Sequence, residues 1–208
     1  MKVLIADDHP LVRRGLAEAF ANHPDIVVCG EAKDSADALS LALSCDPDVM
    51  VLDIAMPGRG GLEVLKELVK LRPNLPVLVL SMYAETQFAI RALRNGAKGY
   101  LSKDADPTTI IDAIRRLASG GSYVPQALAE QLQRRVARRE SDEPTALLSE
   151  RELQVLRRLA EGRLGSEIAE ELGLSIKSVS TYRRRMLDKL GARTTADLVR
   201  QAVESGLV

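Results

Sequence analysis

The chain reads as a five-stranded parallel α/β domain followed by a small all-helical domain. Three observations lead there: short apolar runs alternate with helical patterns across residues 1–120, a polar stretch containing Pro144 follows, and only helical patterns appear from Leu148 onward. Continuous apolar runs separated by helices indicate parallel strands covered on both faces.

The strand-like runs are 3–6, 26–29, 49–52, 77–80 and 99–101. Between them, Leu62, Leu65, Leu68 and Val69, and later Ala89, Ile90 and Leu93, recur at helical spacing. Beyond Gly120, Leu128, Leu132 and Val136 suggest a short amphipathic helix carrying Arg134, Arg135, Arg138 and Arg139, which reads as solvated. Glu140-Ser141-Asp142-Glu143-Pro144-Thr145 then reads as an exposed linker. The expected domains are 1–120, a linker with a short helix over 121–146, and a helical domain over 147–208.

Composition narrows the function classes. The 208 residues are 46% hydrophobic and 28% charged with zero formal net charge, so any electrostatic footprint must be local. No apolar run approaches the ~20 residues needed to span a bilayer, and the acidic turn at Asp7-Asp8 comes too early for a signal-peptide core. Cys29 and Cys45 belong to no CxxC pair and read as buried thiols of a reducing compartment. A soluble cytoplasmic protein with no membrane association is expected.

In an open parallel sheet, ligands bind beyond the carboxyl ends of the strands. Asp7 and Asp8 follow the first run, Asp53 ends the third, Ser81 ends the fourth, and Lys103 lies just past the fifth. Carboxylates gathered on one rim repel unless a cation compensates them. Lys103 does so partly, and Mg²⁺ suits a site of one or two carboxylates, waters and a phosphate oxygen. The fitting chemistry is attack of a carboxylate on phosphorus to give an aspartyl phosphate, with the developing charge neutralised by the cations. The plain alternative is that each acid caps a helix or sits in a solvated loop.

The set Asp7-Asp8, Asp53-Ile54-Ala55-Met56-Pro57-Gly58 with Gly61-Leu62-Glu63, Ser81, and Lys98-Gly99-Tyr100-Leu101-Ser102-Lys103-Asp104 closely resembles bacterial response-regulator receiver domains. The resemblance implies a flavodoxin-like strand order 2-1-3-4-5 and Asp53 as phosphoacceptor. It also implies Mg²⁺ held by Asp8, Asp53 and the backbone carbonyl of Ala55, with Asp7 assisting through water. Lys103 would contact the phosphoryl oxygens, and Ser81 and Tyr100 would form a switch pair, although an aromatic at a strand end is equally well explained by packing. Gly60 replaces the polar residue common in that family and suggests a looser loop after the acceptor.

In the last segment, Ser149 and Glu152 form an S-x-x-E capping box ahead of Leu153, Leu156 and Leu159, in a helix ending near Gly162. A helix over 166–172, with Ile168, Ala169 and Leu172 inward, stops at Gly173. Ser175 caps a third helix reaching about Leu190. Thr194 or Thr195 caps a last helix carrying Leu198, Val199 and Ala202. Helix, glycine turn and capped helix make a helix-turn-helix. At about 100° per residue, Val179, Met186 and Leu190 share the core stripe of the third helix. Lys177, Thr181, Arg184 and Asp188 lie opposite, flanked by Ser180 and Arg185. Lys177, Arg183, Arg184, Arg185 and Lys189 against Asp188 make this helix cationic. A solvated face is the plain alternative; a helix fitting the major groove is the functional one.

Leu148-Ser149-Glu150-Arg151-Glu152, Glu167-Ile168-Ala169, Leu174-Ser175, Lys177-Ser178-Val179 and Lys189-Leu190-Gly191 resemble the LuxR-type helix-turn-helix of NarL/FixJ-family regulators. That resemblance implies base reading by Ser180, Thr181 and Arg184, and phosphate contacts from Lys177 and Arg183. Tyr182 in place of a common His, and Gly165-Ser166 in place of Asn-Lys, weaken the transfer of any target sequence. The expected function is a transcription regulator that receives its phosphoryl group from a sensor histidine kinase. It would bind double-stranded DNA as a homodimer, with 195–202 as one dimer face, and would contact RNA polymerase. A phosphohydrolase like the haloacid dehalogenases needs an acid where Ala55 stands, and no GxGxxG follows the first run. No turnover beyond self-phosphorylation and dephosphorylation is expected. A protein-only signalling module would leave the cationic helix without purpose.

Overall fold

The apolar runs at 49–53 and 77–81 become strands buried along their whole length, as strands covered on both faces must be. The computed structural model describes residues 1–56, 60–82, 86–126, 128–130 and 148–204, the side chains of Thr86, Gln87, Glu150 and Glu204 excepted. It divides into two compact units, Met1–Arg134 and Arg135–Val208. Most of the arginine-rich segment expected to form a short helix lies outside the described residues.

The first unit alternates β1 (Lys2–Ala6), α1 (Pro10–Ala21), β2 (Val27–Ala32), α2 (Ser35–Ser44), β3 (Val49–Asp53), α3 (Gly61–Leu71), β4 (Val77–Ser81), α4 (Thr86–Arg94), β5 (Gly99–Ser102) and α5 (Pro107–Ala118). All neighbouring strands are parallel, in the order β2-β1-β3-β4-β5. On one face of the sheet, Val3, Ile5, Val49, Val51, Leu78 and Leu80 pack with Leu16 and Phe20 of α1 and Ile110, Ile114 and Leu117 of α5. Alternate strand residues Leu4, Met50, Leu52, Val79 and Tyr100 point the other way and are buried too, with Leu65, Leu68 and Phe88. Each such side chain contributes roughly 1.5–3 kcal/mol.

The edge strand differs most from its sequence reading. It runs to Ala32, past the expected end at Cys29, because Gly30, Glu31 and Ala32 pair with Leu4, Ile5 and Ala6. Polar and small residues are tolerated at an edge, where apolar periodicity is weak. The register slips between Val3 and Leu4, which pair with Val28 and Gly30, leaving Cys29 as the extra residue of a bulge. Cys29 and Cys45, expected to be buried, are half-buried.

Short-range chemistry sets the helix starts. Pro10 and Pro107 open α1 and α5, and Asp34 and Asp106 accept backbone N–H groups at the starts of α2 and α5. Before α3, Gly60 takes φ 77°, a left-handed conformation that side chains oppose. A Cβ on Gly61 would stand 2.2 Å from the Asp53 carbonyl oxygen, so the chain can turn this closely past β3 only with glycine there. The looser loop expected from Gly60 falls on 57–59, outside the described residues.

The second unit contains α6 (Glu150–Ala160), α7 (Gly165–Glu171), α8 (Ile176–Leu190) and α9 (Thr195–Glu204). The Ser149–Glu152 capping box is formed at α6, and Ser175 caps α8 by accepting Ser178 N–H. α8 ends at Gly191 with φ 62°. Thr194 is the residue that caps α9, through Asp197 N–H at 3.1 Å. α7 starts and stops one residue earlier than expected. Leu153, Leu156, Ile168, Ala169, Val179, Met186, Leu198 and Ala202 form the buried set. Leu159, Leu172 and Leu190, expected inside, are only half-buried because each sits at or near a helix end. Among the described residues, no helix is long and apolar enough to cross a membrane.

Candidate functional site

Because β1, β3, β4 and β5 are parallel neighbours, their carboxyl ends share one rim. Asp53 and Ser81 are the last residues of β3 and β4, Asp7 follows β1, and Lys103 follows β5. Asp7, Asp53 and Ser81 are 1–2% exposed. The Lys103 ammonium lies 2.6 Å from Asp7 Oδ2 and 2.8 Å from Asp53 Oδ2, with all three side chains out of solvent. The Lys103 backbone N–H donates to the Ser81 carbonyl at 2.8 Å, which ties the end of β5 to that of β4.

The other carboxylate oxygens serve local turns. Asp7 Oδ1 accepts His9 N–H at 2.8 Å, and Asp53 Oδ1 accepts Ala55 N–H at 2.9 Å. Neither acid caps a helix: the N-cap of α1 is His9, whose side chain makes no capping bond. Asp8 is more open and meets His9 Nδ1 at 2.8 Å. Oxygens of Asp7, Asp8 and Asp53 and a ring nitrogen of His9 all lie within 4.8 Å of one another. A group of hard carboxylate donors this close, beneath a single ammonium, can hold a metal ion.

The charge balance of the rim is unequal. Burial pushes Asp53 up to about 6, with Lys103 opposing and Asp7 reinforcing the shift. Burial alone would lower Lys103, but Asp53 and Asp7 outweigh it and its pKa is raised. One ammonium is compensated twice over, whereas two buried carboxylates share one cation.

Tyr100 is 2% exposed. In register, Val79 pairs with Tyr100 and Ser81 with Ser102, so Tyr100 and Ser81 belong to the same face of the sheet. Two contributors escaped the sequence reading. His9 stands in the acidic cluster, and Arg13 Nη1 donates to the Asp7 carbonyl at 2.6 Å. Asp-Asp-His adjacency could have flagged His9; nothing local pointed to Arg13, which reaches back from the first turn of α1.

In the second unit, Lys177, Ser180, Thr181, Arg183, Arg184 and Arg185 are exposed on α8; Lys177, Thr181 and Arg184 lie opposite buried Val179 and Met186, Ser180 and Arg185 flank them, and Arg183 stands at the edge of the buried stripe. Thr181 Oγ1 donates to the Lys177 carbonyl at 2.9 Å. Lys189 is placed differently: its ammonium lies 2.6 Å from Glu152 Oε2, the oxygen that also accepts Ser149 N–H. It thus joins α8 to the start of α6. Burial would raise Glu152, but Lys189 and the Ser149 donors prevail and its pKa is lowered.

Residues 3–115 match the response regulator receiver domain family, and residues 146–202 match the luxR family of bacterial regulatory proteins. The response regulator GacA of Pseudomonas aeruginosa is 36% identical over 209 residues, covering 100% of this chain and 98% of the relative. The response regulator UvrY of Escherichia coli is 35% identical, with 100% and 95% covered. Among solved structures, RcsB of Salmonella enterica serovar Typhimurium, bound to the promoter rprA in the presence of the phosphomimetic BeF3-, matches with a TM-score of 0.62. It is 29% identical, and 97% of each chain is covered.

Proposed function

The chain belongs to the NarL/FixJ family of response regulators, DNA-binding regulators of transcription with a receiver and a LuxR-type domain, and on that premise we propose that phosphorylation of Asp53 by a sensor histidine kinase controls DNA binding by α8. The observation that carries the reading is the convergence of Asp7 and Asp53 on one buried Lys103 ammonium, at 2.6 and 2.8 Å.

In the proposed chemistry an Asp53 carboxylate oxygen bonds to phosphorus as the P–N bond of a kinase phosphohistidine breaks. Lys103 moves its hydrogen bond from Asp53 Oδ2 to a phosphoryl oxygen, and Ser81 donates to another. Ala55 N–H keeps Asp53 Oδ1 in place, so the acceptor is oriented before the donor arrives. Asp8, Asp53 and the Ala55 carbonyl would hold Mg²⁺, with Asp7 acting through water. That ion supplies further neutralisation of the transferring oxygens. Departure of Ser81 toward the phosphoryl group frees space that the Tyr100 ring fills, biasing the face of α4 and β5 between two packings.

The outcome is read on DNA. Ser180, Thr181 and Arg184 reach base edges, while Lys177, Arg183 and Arg185 face phosphates. Lys189 contributes its charge while positioning α8 through Glu152. The promoter complex of RcsB, and the structure of two RcsB dimers bound to two parallel DNAs, support DNA as partner and a homodimer as the active form. We assign the receiver to 1–120, the linker to 121–146 and the DNA-binding domain to 147–208. Work in the cytoplasm, RNA polymerase contact, and no turnover beyond Asp53's own phosphorylation and hydrolysis complete the reading.

The test is incubation of wild type and Asp53→Asn with a small phosphodonor and Mg²⁺, followed by intact mass and binding to promoter DNA. One phosphoryl group on wild type alone, with tighter DNA binding, is expected. Equal labelling of the Asn variant removes Asp53 as acceptor; labelling without any change in DNA affinity removes the coupling.

A further inference from the structure

Cys29 and Cys45 are sixteen positions apart by sequence number and share no motif, yet the fold brings them together. Gly30 and Leu4 are register partners while Cys29 has none, so the bulge leaves Cys29 and Gly30 opposite one residue of β1. A bulge of this kind departs from strict alternation and can turn neighbouring side chains toward the same side. The Gly30 side faces α2: a Cβ there would stand 3.3 Å from Cys45 Sγ and 3.4 Å from Leu41. Cys45 occupies the C-cap of α2, and its sulfur lies 3.9 Å from Ser44 Oγ. The bulge thus places Cys29 beside the backbone position that Cys45 Sγ packs against, and both residues are free and half-buried.

We propose that Cys29 and Cys45 form a vicinal dithiol site that reacts with hydroperoxides and closes to an intramolecular disulfide. One thiol, as thiolate, attacks the peroxide O–O bond, giving a sulfenic acid and releasing an alcohol, or water from hydrogen peroxide. The second thiol then attacks that sulfur, an S–S bond forms, and water leaves. The net change is two thiols and one hydroperoxide to one disulfide, one alcohol and one water; sulfur is oxidised and the peroxide reduced. Burial pushes the Cys29 thiol up and Cys45 adds to it, so the thiolate is scarce at neutral pH and the site answers sustained oxidant rather than traces. Gly30 has a role here as well, because a side chain at that position would crowd Cys45 Sγ. The resulting bond would clamp the edge strand to the end of α2.

The full-length reduced protein is exposed to excess hydrogen peroxide, unfolded in the presence of an alkylating maleimide, and weighed intact with and without prior reduction by dithiothreitol. Wild type is expected to lose both alkylation sites, remain a monomer, recover both on reduction, and yield a Cys29–Cys45 cross-linked peptide. Cys29→Ser and Cys45→Ser should each block that monomeric disulfide. Retention of both alkylation sites, oxidation of one sulfur alone to sulfinic acid, or disulfides only between chains each overturns the proposal. Because the deciding measurement is on wild type, misfolding of a serine variant does not affect it.

Discussion

Asp53→Asn tests the electrostatics of the rim apart from phosphorylation. The wild-type carboxyl is raised from 3.8 to about 6, chiefly by burial. An acid whose folded pKa exceeds its unfolded value holds its proton more tightly when folded. Stability therefore falls as pH rises from about 4 to about 6, and the cost is complete above that window. At ~1.4 kcal/mol per pH unit, ionised Asp53 costs the metal-free receiver about 3 kcal/mol at neutral pH. Asparagine keeps the shape without the charge and should restore about that amount, lowering the globally unfolded population by about two orders of magnitude. Hydrogen exchange of the β3 and β4 peptides, followed by mass spectrometry with chelator present, reports this unit separately from the helical one. The variant should exchange more slowly than wild type at neutral pH, and the gap should close as pH falls through 6 toward 4. Added Mg²⁺ should slow exchange in wild type far more than in the variant. Equal protection at neutral pH, or a gap that ignores pH, would refute the reasoning.

Lys103→Met leaves two buried carboxylates facing each other and should cost the receiver about 3–5 kcal/mol at neutral pH, less at mildly acid pH, in the same exchange assay. Gly61→Ala drives a methyl group against the Asp53 carbonyl and should cost about 1–3 kcal/mol. Gly15→Ala, with nothing within 4 Å of its Cβ position in α1, should instead stabilise by about 0.5–1 kcal/mol by denaturant unfolding. In the helical unit, Ser149→Ala should cost about 1 kcal/mol. The lowered pKa of Glu152 means its contribution is present above the ordinary glutamate range and lost as pH falls through the folded value; exchange of α6 amides against pH checks both. Arg183→Ala should flatten the salt dependence of DNA binding by roughly one phosphate contact, a slope change of about 0.9. Arg184→Ala should cost about 1–3 kcal/mol on promoter DNA and little on random duplex; identical profiles for the two variants would overturn their separate roles.

What could be read from sequence was whatever local periodicity or residue type determines. Strands 49–53 and 77–81 announce themselves because both faces are covered and nearly every residue is apolar. The rim acids were accessible for a similar reason: once strands are placed and taken as parallel, the residues that follow them must share an edge. The capping box at Ser149 needs only four residues. By contrast, the bulge at Cys29 depends on the register with β1, which no local pattern in 26–32 carries. Lys189 looked like one more cation on a DNA-facing helix, and its bond to Glu152 exists only because α6 and α8 pack together. Glu152 had already been accounted for by its capping role, which hid its second partner. Gly61 likewise carries no local sign of why glycine is needed there; the approach to the Asp53 carbonyl supplies the reason.

The turn bonds and the lysine bonds of the rim acids fall to different oxygens of the same side chains. Asp7 and Asp53 each commit Oδ1 to a backbone N–H two residues onward and offer Oδ2 to Lys103. The turn bonds hold the carboxylates in orientation without any help from the lysine. The lysine bonds are the exchangeable ones, since a flexible ammonium can follow a phosphoryl oxygen while its turn-bound partners stay fixed. In the proposed chemistry this division lets charge be reorganised at Asp53 by moving one side chain, while the strand ends that set the geometry remain where the sheet holds them. It also accounts for the tolerance of so much buried negative charge: the cost of about 3 kcal/mol is confined to the metal-free, unphosphorylated state, and it is the part that a cation at the Asp7–Asp8–Asp53 cluster would recover on binding.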